Sequence, residues 1–203
     1  KSSFLNLPIH KKYQDIISSI NNNPVTIIVG ETGSGKTTQV PRYIVENYRL
    51  IQDYLKKDID DLNTSNYAIQ NLLQVASNSV APRVLVTQQR RIAAVSLSHT
   101  IAKSMGEHIG QTVGYCIKND EILPTTSDAQ ILFTTSGTLL SRISTSLDIA
   151  GPTHIIIDEV HEKDTETDLL LSICKKMLAR NPNIRIVLMS ATANTKSLQK
   201  YFD

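Results

Sequence analysis

Short runs of β-branched and aliphatic residues alternate along the chain with stretches whose apolar positions recur at helical spacing. Strands are predicted at Val25–Val29, Arg83–Thr87, Val113–Ile117, Ile131–Thr134, His154–Asp158 and Ile184–Met189. Their apolar positions are consecutive rather than alternating, as in strands buried on both faces of a parallel sheet. Between them, Ile92, Val95, Leu97 and Ile101 mark one helical stretch, and Leu169, Leu170, Ile173, Cys174, Met177 and Leu178 another. This alternation predicts an α/β domain with a mostly parallel sheet flanked by helices. One segment, Glu46 to Ala81, breaks the rhythm. Tyr48, Ile51, Leu55, Ile59 and Leu62 keep helical spacing, Asn63 to Asn66 read as a turn, and Ala68 to Val75 as a second short helix. It is too long for an ordinary connection and reads as an insertion at about 46–81. It is either a helical pair at the surface or a variable loop with no special role.

Composition narrows the class. The chain has 203 residues, 40% hydrophobic and 20% charged, which suits one domain with a full core and excludes disordered, collagen-like and disulfide-scaffold chains. No apolar run approaches the ~20 residues of a membrane span, and Lys1 to His10 shows no signal-peptide pattern. Cys116 and Cys174 are far apart and lack metal-ligand neighbours, so they read as reduced, buried residues of an intracellular protein, nuclear or cytoplasmic. The net charge is only +2, so any nucleic-acid footprint must be local. Trp is absent and aromatics make up 5%, which argues against an aromatic platform for stacking bases.

Two sequences carry recognisable chemistry. Gly30-Glu31-Thr32-Gly33-Ser34-Gly35-Lys36-Thr37 fits the phosphate-loop pattern, follows an apolar strand and opens a helix, with Thr38 next. Glycines let the backbone wrap phosphate oxygens, and the loop N–H groups and helix N-terminus face the anion. Lys36 is the candidate for the β- and γ-phosphates, and Thr37 for Mg²⁺. Pro41 should tighten or bend the first turns of that helix. The strand from His154 ends in Asp158-Glu159-Val160-His161. Carboxylates at a strand's C-terminal end can hold Mg²⁺ opposite a phosphate loop. Asp158 is the metal-side acid, and Glu159 the candidate base for an attacking water. No Cys or second His stands at zinc-ligand spacing.

Other polar residues also fall at strand ends: Thr87 to Arg91, Thr134 to Thr138, and Ser190-Ala191-Thr192. Open α/β sheets bind ligands at that rim. Arg90 and Arg91 open a helix, where positive charge opposes the helix dipole. Either they meet an external anion such as a nucleic-acid backbone, or they pair with Asp or Glu.

Taken together, these residues resemble the first RecA-like domain of a superfamily 2 helicase of the DEAH/DExH RNA-helicase group. The resemblance runs through Gly30–Thr38 with Gln39-Val40-Pro41, through Thr87 to Ala94, Val113 to Ile117 and Phe133 to Leu140, and through Asp158-Glu159-Val160-His161-Glu162 and Ser190-Ala191-Thr192. It implies a three-layer RecA-like fold and RNA-stimulated hydrolysis of ATP or another nucleoside triphosphate with Mg²⁺. It further implies that Lys36, Thr37, Asp158 and Glu159 serve nucleotide and metal. His161, Ser190, Ala191 and Thr192 are implied to couple nucleotide state to domain movement. Arg90, Arg91, Thr135 and Gly137 are implied to hold the RNA sugar–phosphate backbone. A second RecA-like domain of the parent chain, absent here, is implied to supply arginines for the γ-phosphate, and an adaptor protein is a further implied partner. The isolated domain is expected to be poorly active. The chain also departs from the group. Gln89 stands where Pro is usual, implying a looser turn. Lys118 and Lys163 replace common arginines. Ser98-His99-Thr100 occupies the stretch where an Arg usually stacks on the base. The alternatives are an RNA-binding scaffold with a degenerate motor, a related DNA helicase and an unrelated phosphate-loop ATPase.

Overall fold

A computed structural model describes residues 7–60, 80–145, 151–162, 164–193 and 195–202. A 3-10 turn, Pro8–Lys12, leads into α1 (Tyr13–Asn22) and β1 (Val25–Val29). Then follow α2 (Lys36–Asp60), β2 (Arg83–Gln88), α3 (Arg91–Ser104), β3 (Val113–Ile117), β4 (Asp120–Ile122), β5 (Gln130–Thr135) and α4 (Ser136–Thr145). After β6 (His154–Ile157) and a 3-10 turn at Val160–Glu162 come α5 (Thr165–Arg180), β7 (Arg185–Ser190) and α6 (Lys196–Phe202).

The strands form one sheet in the order β1-β7-β6-β2-β5-β3-β4. All pairings are parallel except β3 with β4. The strand pattern read from the sequence is therefore seen, with β4 added as a short hairpin partner whose three residues are all exposed.

Successive side chains along a strand point to opposite faces, which sorts the core into two layers. On one face, Val84, Val86, Ile131, Phe133, Ile156, Val187 and Met189 meet α1, α2 and α3. On the other, Leu85, Ile155, Ile157, Ile186 and Leu188 meet α4, α5 and α6. The architecture is thus three-layered, with the sheet in the middle. Phe133, Ile156, Val187, Leu188 and Met189 have no exposed surface; each such side chain contributes about 1.5–3 kcal/mol by burial.

The helices differ from the sequence expectation in detail. In α3 the buried face is Ala94, Ser98, Ile101 and Ala102, whereas Ile92 is 84% exposed. In α5, Leu170, Leu171 and Cys174 are buried while Leu169 is half exposed. The first part of the 46–81 segment continues the phosphate-loop helix: α2 runs unbroken from Lys36 to Asp60, with Pro41 inside it. Arg49 fastens that extension, donating to Asp128 Oδ2 at 3.0 Å, Glu107 Oε1 at 3.2 Å and Thr112 Oγ1 at 2.7 Å. The turn at Asn63 to Asn66 and the helix at Ala68 to Val75 lie outside the described residues. Among the described residues no helix is long and apolar enough to cross a membrane. Both cysteines are free and buried; burial pushes the Cys174 thiol up to about 12.

His154 gives the fold a pH dependence. Burial, with the Arg185 charge beside it, lowers its pKa to about 4. An unfolded chain takes up that proton near pH 6.5 while the folded one does not. Stability is therefore full above pH 6.5 and falls as pH drops toward 4, by about 3 kcal/mol. Melting temperatures measured across this range should fall less steeply in His154→Gln than in the parent.

Candidate active site at the carboxyl rim of the sheet

The strand order fixes the site. β7 lies between β1 and β6, so the loop after β1, the acidic turn after β6 and Ser190-Ala191-Thr192 after β7 sit side by side. The Gly30 N–H donates to the Ser190 carbonyl at 3.1 Å, joining the start of the phosphate loop to the end of β7.

The loop closes tightly on itself. Ser34 N–H donates to the Glu31 carbonyl at 3.2 Å, and Gly33 and Gly35 both have positive φ, +82° and +98°. Gly35 has a second constraint: a Cβ there would lie 2.8 Å from Leu7 Cδ1. Only glycine meets both demands without strain. Glu31, Thr32 and Gly33 are exposed at the tip, while Lys36 is only 6% exposed. Its ammonium donates to the carbonyls of Gly30 and Glu31, the latter at 2.9 Å, and approaches Ser34 Oγ at 3.4 Å. To bind a phosphate, Lys36 must exchange carbonyl for phosphate oxygens. The Thr38 hydroxyl donates to the Gly35 carbonyl at 3.2 Å, fastening the first turn of α2.

The two halves of the site meet directly. Thr37 Oγ1 donates to Asp158 Oδ2 at 2.6 Å. Asp158 is buried and accepts two more bonds, from Gln88 Nε2 at 2.9 Å and from the Glu159 N–H at 2.9 Å. Glu159 itself adopts φ +55°, a left-handed conformation that costs a residue with a Cβ about 1–3 kcal/mol. Burial first, and then the charge of Asp158, raise the Glu159 pKa above the ordinary carboxylate value. His161 Nδ1 lies 3.3 Å from Glu159 Oε2 and 3.3 Å from the Ala191 nitrogen. Ser190 Oγ accepts from the Thr192 N–H at 3.1 Å, closing a tight turn. Lys36, Thr37, Asp158, Glu159, His161, Ser190 and Ala191 therefore form one connected cluster. No group of three or more His, Cys, Asp or Glu among the described residues could by itself hold a metal ion.

The remaining candidates are less uniform. Arg90 and Arg91 are exposed at the start of α3, and Arg90 provides no side-chain cap. Neither pairs with an acidic residue among the described residues. Thr135 is buried, and its hydroxyl accepts from the Thr138 N–H at 3.3 Å, which caps α4. Gly137 faces the Glu166 carboxylate, which would lie 3.0 Å from a Cβ at that position. Two further residues serve the site: Gln88, whose amide reaches Asp158, and Asp164, which caps α5 by accepting from the Thr167 N–H at 2.6 Å. A cap signal was present in Asp164-Thr165-Glu166-Thr167; the Gln88 contact has no spacing signature, because it joins two strands.

Comparison with known proteins identifies the family. A family model described as DEAD/DEAH box helicase matches residues 10–201. The chain is 34% identical to the DExH-box ATP-dependent RNA helicase DExH3 of Arabidopsis thaliana, over 97% of this chain and 14% of that protein. It is 35% identical to the probable ATP-dependent RNA helicase spindle-E of Drosophila pseudoobscura pseudoobscura, over 97% and 12% respectively. It is 33% identical to the ATP-dependent RNA helicase DHX30 of Gallus gallus, over 97% and 14%. The chain thus spans about an eighth of the length of these relatives. With the family match over nearly its whole length and the phosphate loop and acidic turn joined across β7, the chain belongs to the DEAD/DEAH box helicase family.

Proposed function

We propose that this chain is the nucleotide-binding RecA-like domain of an ATP-dependent RNA helicase. It would hydrolyse ATP or another nucleoside triphosphate in response to RNA, acting with a second RecA-like domain. The observation that carries the hydrolytic part is the 2.6 Å contact between Thr37 and Asp158. It joins the two halves of a nucleotide site that lie far apart in the chain.

Mg²⁺ fits this pair. A hydroxyl and a carboxylate oxygen that converge are hard oxygen donors, and this ion is typically held by one or two such protein groups with phosphates and waters completing its shell. Thr37 and Asp158 would hold it, with Glu159 beside them. When bound, the ion would supply positive charge to offset that of the phosphate oxygens. The chain's own residues would do the rest. Loop N–H groups and Lys36 would bind and orient the phosphates. Glu159, its basicity raised by burial and by Asp158, would orient the attacking water and take its proton at the carboxylate. His161 lies between that carboxylate and Ala191, so a change at Glu159 would reach the Ser190-Ala191-Thr192 turn directly.

The RNA reading rests on Arg90 and Arg91, two adjacent exposed cations at the rim with no acidic partner among the described residues. Guanidinium contacts to phosphate add affinity without reading sequence, which suits a motor that moves along any strand. Relatives named as RNA helicases favour RNA over DNA. The test is a pair of substitutions, Arg90→Ala with Arg91→Ala. RNA affinity should fall to a similar degree for oligonucleotides of different sequence, and the slope of log affinity against log salt should flatten by about 1–2. A loss confined to one sequence would overturn the backbone reading.

A further inference from the structure

The turn that carries Arg90 and Arg91 is tied to the acidic segment at two points. Gln88, buried at the end of β2, donates from Nε2 to Asp158 Oδ2 at 2.9 Å. Gln89, the next residue, donates from Nε2 to Asp164 Oδ2 at 3.1 Å. Asp158 and Asp164 stand at opposite ends of the stretch that contains Glu159 and His161. Asp164 is a firm anchor, since its other oxygen caps α5 and its backbone carbonyl accepts from the Asp168 N–H at 3.1 Å. Among the described residues, the glutamines supply the side-chain hydrogen bonds of the 88–91 turn; Arg90 and Arg91 make none.

We propose that Gln89 is a positioning residue that couples the two ligands of this domain. Through its bond to Asp164, and with Gln88 on Asp158, it makes the Arg90–Arg91 turn and the 158–164 segment move as one body. This rests on the function proposed above. RNA held at the arginines and nucleotide held at Asp158 and Glu159 then sense each other through two short hydrogen-bonded links rather than through the whole sheet. Hydrogen-bonded chains of this kind can carry energetic coupling between two sites. Gln89 is the residue that the sequence marks as a departure from the usual Pro, which carries no side-chain donor. The departure brings a contact with it: the Gln89 amide supplies a tie to Asp164 that Pro could not.

The experiment measures the dissociation constant of a single-stranded oligouridine from the full-length protein, with and without a non-hydrolysable ATP analogue, alongside basal and RNA-stimulated turnover. The parent should show a nucleotide-dependent change in RNA affinity of at least about 5-fold, the lower end of common allosteric coupling. Gln89→Glu places a carboxylate against Asp164 and should bring that ratio close to one; because the new charge also lies beside Arg90, RNA affinity should fall with and without nucleotide alike, and the ratio is the readout, with basal turnover near parental. Gln89→Ala, which removes the bond without adding charge, should lower the ratio part of the way. Adding Asp164→Asn to Gln89→Glu reverses donor and acceptor while keeping the cap of α5, and should restore the parental ratio. A parental ratio in Gln89→Glu, or no recovery in the double variant, overturns the coupling role while leaving the helicase reading intact. A parent that binds no RNA overturns both.

Discussion

Glu159→Gln is expected to leave nucleotide bound and to slow turnover by about 10²–10⁴-fold, the usual contribution of a positioned general base. Gln has the same shape, so the left-handed backbone at φ +55° and the neighbouring contacts persist. What disappears is the carboxylate that would take the proton from water. The same group sets the acid side of the pH profile. Its pKa is raised by burial, then by Asp158, with the nearby charges of His161 and Lys36 opposing that rise. A base works only when deprotonated. Turnover in the parent should therefore fall on acidification at a pH above that of an ordinary carboxylate, while nucleotide affinity measured by calorimetry changes little. Normal hydrolysis by Glu159→Gln would remove Glu159 as the base.

Lys36→Ala should weaken nucleotide binding by about 10²–10⁴-fold, which follows from losing two charge-assisted hydrogen bonds of about 1.5–3 kcal/mol each. The effect has a second source. Lys36 is buried and holds the carbonyls of Gly30 and Glu31, so its removal also frees the loop that must present N–H groups to the phosphates. Because the side chain is enclosed by its own loop rather than packed in the sheet core, the domain should still fold, and its far-ultraviolet spectrum should match the parent. Titration of ATP by calorimetry reads the affinity; unchanged binding would sink the phosphate-loop assignment.

The sequence disclosed the sheet because buried parallel strands are written as apolar runs. Val25–Val29 and Val113–Ile117 coincide with β1 and β3 residue for residue. It did not disclose β4, because Asp120–Ile122 is exposed throughout and is held by the antiparallel ladder to β3, not by burial. Helix existence was legible, but not which face is buried. In α3 the packed positions include small residues, Ala94, Ser98 and Ala102, beside Ile101, whereas Ile92, one of the large side chains whose spacing marks the helix, is exposed. At the site, the phosphate loop and acidic turn were visible as motifs because their chemistry demands particular residues at short spacing. The contacts that join them were not. Thr37 to Asp158, Gln88 to Asp158 and Gln89 to Asp164 depend on the order of strands, which local pattern does not encode. Thr135 shows the limit from the other side: its hydroxyl serves the cap of α4, a role its spacing alone does not distinguish from a ligand contact.

In the proposed function, one rim of this sheet joins nucleotide hydrolysis to RNA binding. Phosphate release by the full-length protein with saturating ATP and Mg²⁺, measured with and without single-stranded RNA, tests it most directly. Basal turnover should be low, rise at least about tenfold on adding RNA whatever its sequence, and be lost with and without RNA in Glu159→Gln. Turnover that RNA does not change, in a protein that binds ATP normally, would contradict it.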